Sequence, residues 1–180
     1  MITYIIAAVL VVLAASAGAV FLLSTRNTLV RERRELAKAW TDLDQLLKQR
    51  RDELPRLIGT CRSYLRDGAG LLEAVAAARA SEQKAGSPPE KARAASELSG
   101  ALQSLFAAAD RDRALELDAG YRQLKKSLAA LDERISAERA RFNGRAGAFN
   151  ARLARLPGRV AAGHLRPQAL FEARDAQPGK

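Results

Sequence analysis

LVRERRELAKAWTDLDQLLKQRRDELPRLIGTCRSYLRDGAGLLEAVAAA, the stretch Leu29–Ala78, carries one apolar stripe repeated every seven residues. One row is Leu29, Leu36, Leu43, Arg50, Leu57, Tyr64, Leu71 and Ala78; the other is Arg33, Trp40, Leu47, Leu54, Cys61, Gly68 and Val75. Val30, Leu46, Ile58, Leu65 and Leu72 widen the stripe to the face a bundle helix buries. Pro55 falls inside it. Proline has no N–H to donate and crowds the carbonyl four residues back, so it demands a kink or a break. Phase is kept across Pro55, which favours one long kinked helix; the competing reading is a tight turn with Pro55 opening a second helix.

Beyond the stripe, Ser81–Pro89 (SEQKAGSPP) reads as a loop in which Gly86, Pro88 and Pro89 end one helix and start the next. A helix is expected from Glu90 to Ala109, then a short charged turn at Asp110–Arg113. A long helix then runs to about Leu156, striped by Leu117, Tyr121, Leu124, Leu128, Leu131, Ile135, Phe142, Phe149 and Leu156 and stopped by Pro157-Gly158. The patch Leu165–Phe171 is expected to pack back on the bundle, ahead of a disordered tail at residues 173–180. No segment shows a strand pattern. Trp40, Phe106, Phe142 and Phe149 leave water only if these stripes pack together, giving an all-α, elongated antiparallel bundle with coiled-coil character. A 45-residue helix of that kind extends about 68 Å.

Ahead of the stripe, residues 1–25 contain no Asp, Glu, Lys or Arg, and Ile2–Leu23 is almost wholly apolar or small. A bilayer core needs about 20 such residues in a helix. A cleaved signal peptide is the alternative, with Ala15-Ser16-Ala17 and Ala17-Gly18-Ala19 as small-residue sites, but it calls for a basic start and a shorter apolar run. The expectation is therefore a single transmembrane anchor at residues 1–25, spanning about 2–23, followed by a bundle domain at 26–172. Arg26, Arg31, Arg33, Arg34 and Lys38 follow the span and no basic residue precedes it. The positive-inside rule puts the N-terminus outside and the body in the cytoplasm. Ala14 and Gly18, beside Ala15 and Ala19, form a small-residue face through which two spans can approach, so a homo-oligomer is admissible.

The net charge of +10 belongs entirely to the part after the span. It admits three readings: contact with anionic lipid, phosphate neutralisation on nucleic acid, or a solvated surface of mixed charge. Nucleic acid is disfavoured, since the basic residues do not interleave with aromatics and no nucleic-acid motif appears. One Cys (Cys61) and one His (His164) exclude an intramolecular disulfide and a Cys- or His-rich metal site. Cys61 lies on the stripe and reads as a small buried hydrophobe. No Ser–His–Asp set is available and no glycine-rich phosphate loop is present. Asp44 and Lys48 form an ordinary i,i+4 surface pair. No catalytic, cofactor or metal residues are expected, and the chain reads as a non-enzyme.

Asn143 and Asn150 share one helix face, each beside a core Phe. Asn is a poor helix former, so its repetition calls for a reason. An interhelical hydrogen bond that sets register is one; a peptide- or lipid-binding groove is the other.

The assembled residues resemble the LemA family. The likeness runs from the apolar segment through Asn27, Leu29-Val30, Arg34 and Ala39-Trp40. It is densest at Leu43-Asp44, Leu47-Lys48, Arg50, Asp52, Leu54-Pro55 and Leu57-Ile58, which match the family's I-D-x-x-L-K-x-R-x-D-L-I-P-x-L-V run. Tyr64, Leu72, Val75 and Ala78-Arg79 continue it. The second half matches at Leu124, Leu128, Arg134-Ile135, Arg139, Phe142-Asn143, Phe149-Asn150, Leu156-Pro157 and Ala162. The chain departs from the family at Arg51, Arg56 and Ser63, and across Ala109–Leu117. The resemblance implies a bacterial single-pass membrane protein with a helical-bundle domain, and a related member's association with magnetosome membranes points towards membrane organisation. Together these readings describe a scaffold or interaction module at the bacterial inner membrane, with an unknown protein partner. An anionic-lipid organiser and a nucleic-acid tether are the alternatives.

Overall fold

The computed structural model describes residues 1–65, 68–155 and 165–171, without the side chains of residues 3, 5, 7–9, 11 and 14. Five helices follow in order: α1 (Ile2–Tyr64), α2 (Ala69–Lys84), α3 (Pro88–Ala109), α4 (Arg113–Leu117) and α5 (Ala119–Ala154). No strand occurs among the described residues, so the all-α expectation holds. The chain divides into two compact units, one of Met1–Lys38 with Gly144–Gln168, the other of Ala39–Asn143 with Ala169–Lys180.

The larger unit is an antiparallel bundle. Its core joins Leu54, Leu57 and Cys61 of α1, Leu72 and Val75 of α2, Leu98, Leu102 and Leu105 of α3, and Tyr121, Leu124 and Leu128 of α5. Leu115 of α4 completes it. The cross-links give the helix directions. Arg50 of α1 meets Glu82 of α2, and the α1–α2 connection follows Tyr64, so α2 returns along α1. Lys91 pairs with Asp44 and Arg50 bonds Ser99, so α3 runs with α1. Tyr64 bonds Asp118 while Trp40 stacks near Phe142, so α5 runs back again.

Helix α1 continues through Pro55, in agreement with the preserved phase. The single helix expected over Leu29–Ala78 nevertheless ends at Tyr64, and a second helix, α2, begins at Ala69. Gly68 is buried there, and a Cβ on it would fall 2.7 Å from the Cβ of Leu65. Its carbonyl accepts from the N–H groups of Leu71 and Leu72, both at 3.1 Å, which starts α2. Heptad phase survived this turn because both arms bury their stripe in the same core.

The expected loop at Ser81–Pro89 is shorter than its composition suggests, since α2 carries on to Lys84. Helix α3 opens with Pro88 behind a capping box: the Ser87 side chain accepts from Glu90 N–H, and Glu90 Oε2 accepts from the N–H of Ser87 at 3.1 Å. The helix expected to run unbroken after Arg113 is two helices. Asp112 caps α4 through the N–H groups of Ala114 and Leu115. Asp118 accepts from Tyr121 N–H at 2.7 Å at the head of α5. Leu117, expected in the stripe, is 63% exposed as a result.

In the smaller unit, Leu29 and Leu36 of α1 and Ala146, Phe149 and Leu153 of α5 are buried. Glu32 pairs with Arg152, and Glu35 Oε2 lies 3.8 Å from Arg145. Among the described residues no helix is long and apolar enough to cross a membrane. The expected span at 2–23 includes the seven side chains outside the described set. The expected tail at 173–180, the helix stop at Pro157-Gly158 and His164 also lie outside it.

Candidate functional site

Asn143 and Asn150 each spend the whole side-chain amide on main chain of the segment 165–171. Asn143 Nδ2 donates to Phe171 O at 3.0 Å, and its Oδ1 accepts from Phe171 N–H at 2.7 Å. Asn150 repeats the arrangement with Gln168, 2.8 Å in both directions. The partner of each Asn is therefore non-helical main chain rather than another helix.

The side chain of Phe171 supplies the apolar part. It is 2% exposed, and its ring lies 6.1 Å from that of Trp40, which in turn lies 5.4 Å from Phe142. Lys91 Nζ sits 5.3 Å over the Trp40 ring. A clamp for main chain and a socket for one aromatic ring are thus adjacent.

Beside Phe171 opens a cleft of about 330 Å³, lined by Arg50, Ser99, Gln103, Asp132, Ser136 and Arg139 among others. Arg50 is 2% exposed and Glu82, its partner at 3.2 Å, is fully buried. Arg50 also donates to Ser99 Oγ and Asp132 Oδ1, both at 3.1 Å, and to Ala95 O at 3.4 Å. Arg51 Nη1 lies 3.9 Å from Glu82 Oε2. Burial pushes the Glu82 carboxyl above its usual range, against the pull of Arg50 and Arg51. Sequence reasoning missed this pair. Arg50 stood out as a charge in an apolar row, but Glu82 was read as loop, and only its helical placement puts it opposite Arg50.

Arg26, Arg31, Arg33, Arg34 and Lys38 are all exposed, and none is in an ion pair among the described residues. Cys61 is buried, and desolvation pushes its thiol up to about 11, which leaves it protonated and a poor nucleophile at neutral pH. Among the described residues no three His, Cys, Asp or Glu side chains are grouped to hold a metal ion.

No curated protein matches this chain. The model of the LemA family matches residues 39–180, which include the clamp Asn143, both buried charges and the socket residues Trp40 and Phe142. With a match over most of its length, the chain belongs to the LemA family.

Proposed function

We propose that this is a membrane-anchored, non-enzymatic helical bundle that acts as a scaffold or interaction module at the bacterial inner membrane. Residues 1–25 serve as the anchor, and residues 26–172 form the body on the cytoplasmic face. The supporting observation is where apolar surface is left uncovered. Among the described residues, every large exposed hydrophobic side chain apart from Leu117 lies between Met1 and Leu23. Ile2, Leu10 and Val20 are 75%, 61% and 67% exposed. Contiguous apolar surface on this scale marks a membrane or protein contact, and a charge-free run of this length suits lipid. Alkaline extraction of membranes should leave the chain in the pellet. Recovery of a mature chain starting near residue 20 in the soluble fraction defeats the anchor. Affinity capture from gently solubilised membranes tests the scaffold role, which fails if no protein co-purifies reproducibly.

The five exposed basic residues after the apolar segment, none in an ion pair among the described residues, favour a second reading, contact with anionic lipid, in which each contributes about 1 kcal/mol near the surface. Reconstituted chain should enrich labelled anionic lipid around itself. Gln at positions 26, 31, 33, 34 and 38 should abolish the enrichment; an unchanged lipid shell rules this reading out.

A further inference from the structure

We infer that the cleft beside Phe171 is a binding site for a short zwitterionic peptide, held by its ammonium at Asp132 and its carboxylate at Arg139. The cleft lies wholly within the larger unit, lined by α3 and α5 with Arg50 of α1. Its α5 side carries two opposite charges, and neither is used up. Asp132 gives only Oδ1 to Arg50 and is 57% exposed, so Oδ2 is left to accept. Arg139 is exposed and makes no ion pair among the described residues. The two stand on one face of α5, two turns apart, or about 10.5 Å along the axis. The termini of an extended tripeptide are separated by roughly 10 Å. A simple anion or cation would leave one of the pair unmatched, whereas a ligand charged at both ends engages both. Ser136 and Gln103 carry groups that donate and accept, as the N–H and C=O of peptide main chain require. Ala95, Ile135 and Phe171 add apolar wall, and about 330 Å³ suits small side chains. Arg50 is a second, independent sign of a polar occupant. It is 2% exposed, and its two terminal nitrogens are spent on Ser99, Asp132, Glu82 and Ala95, while its buried Nε has no acceptor. Buried donors are seldom left so, and a peptide carbonyl is an acceptor of the right kind. Such a site requires neither the anchor nor a protein partner.

Trp40 is the chain's sole tryptophan, and its ring lies 6.1 Å from that of Phe171 in the cleft wall, so its emission follows occupancy. In full-length chain held in lipid nanodiscs or detergent, trialanine should change Trp40 emission saturably, with matching heat in calorimetry. Trialanine amide lacks the carboxylate and N-acetyl-trialanine lacks the ammonium. Each should bind at least about tenfold more weakly, the worth of one charged hydrogen bond. R139Q should weaken trialanine to the same degree and leave the amide unaffected, a selectivity that damage to the fold would not produce. D132N should likewise weaken trialanine but not N-acetyl-trialanine. Failure of trialanine to bind saturably overturns the proposal. So does equal binding of the free peptide and either blocked form, or R139Q chain that binds trialanine as wild type does. Should D132N fail to fold, the N-acetyl comparison on wild-type chain decides the ammonium. None of these outcomes depends on whether membrane extraction or affinity capture succeeds.

Discussion

Arg79 Nε donates to the carbonyl of Arg51 at 3.0 Å, and Arg51 is the residue whose helical acceptor Pro55 leaves without a donor. In an unbroken helix that oxygen would accept from the N–H four residues on, which proline lacks. The second helix therefore repairs the first, and α1 continues through Pro55 with its freed carbonyl occupied by a guanidinium.

Replacing Arg79 by Ala should lower stability by about 1.5–3 kcal/mol, the usual worth of a hydrogen bond from a charged donor. Pro55→Ala restores the missing N–H, so in that background the same replacement should cost clearly less. Urea denaturation of the four chains, followed by circular dichroism, measures the coupling. Equal losses in both backgrounds contradict the repair.

Arg50→Met should destabilise by about 3 kcal/mol, because it leaves Glu82 buried with only the more distant Arg51, at 3.9 Å, to offset its charge. Arg50→Met with Glu82→Met should recover much of that loss, since two apolar side chains need no partner. Denaturation midpoints of the single and double variants decide it, and a double variant weaker than Arg50→Met disproves the pairing.

Asp118 contributes to the acid limb of stability. The N–H of Tyr121, followed by the hydroxyl of Tyr64, holds its carboxyl below the ordinary value of 3.8. A carboxylate depressed by folding stabilises fully above its unfolded value, and that contribution is lost as pH falls through the folded one. Asp118→Asn should therefore cost stability at neutral pH, and the difference from wild type should shrink below about pH 4. A pH series of urea midpoints that shows a constant difference refutes the assignment.

Cys61 should resist thiol reagents at pH 8 in the folded chain and react at once in denaturant. Its thiol is buried and pushed up to about 11. Labelling time courses with increasing urea should follow global unfolding; prompt labelling of native chain contradicts the burial.

The helical stripes were legible because seven-residue spacing survives local irregularity, and Leu54, Leu57, Cys61 and Val75 all occupy the core they were read into. The same strength hid the turn. Gly68 kept the phase while ending α1, since the constraint that selects glycine there is a contact with Leu65, which has no periodic signature. Asp112 and Asp118, two caps six residues apart, split a helix whose apolar pattern ran on past them. Glu82 was lost to loop-like composition. Asn143 and Asn150 stand out in the sequence, but their partner is backbone, and an amide bond to backbone leaves no trace in the partner's residue types.

That last point has a practical side. Asn143 and Asn150 bond main chain, so the exposed side chains of the segment take no part in either contact. Arg166, Pro167 and Ala169 face solvent, and a dye, an epitope or a cross-linker written into those places would ride on the segment without loosening it. The docked end of this protein is thus a ready handle for watching it work in a living cell.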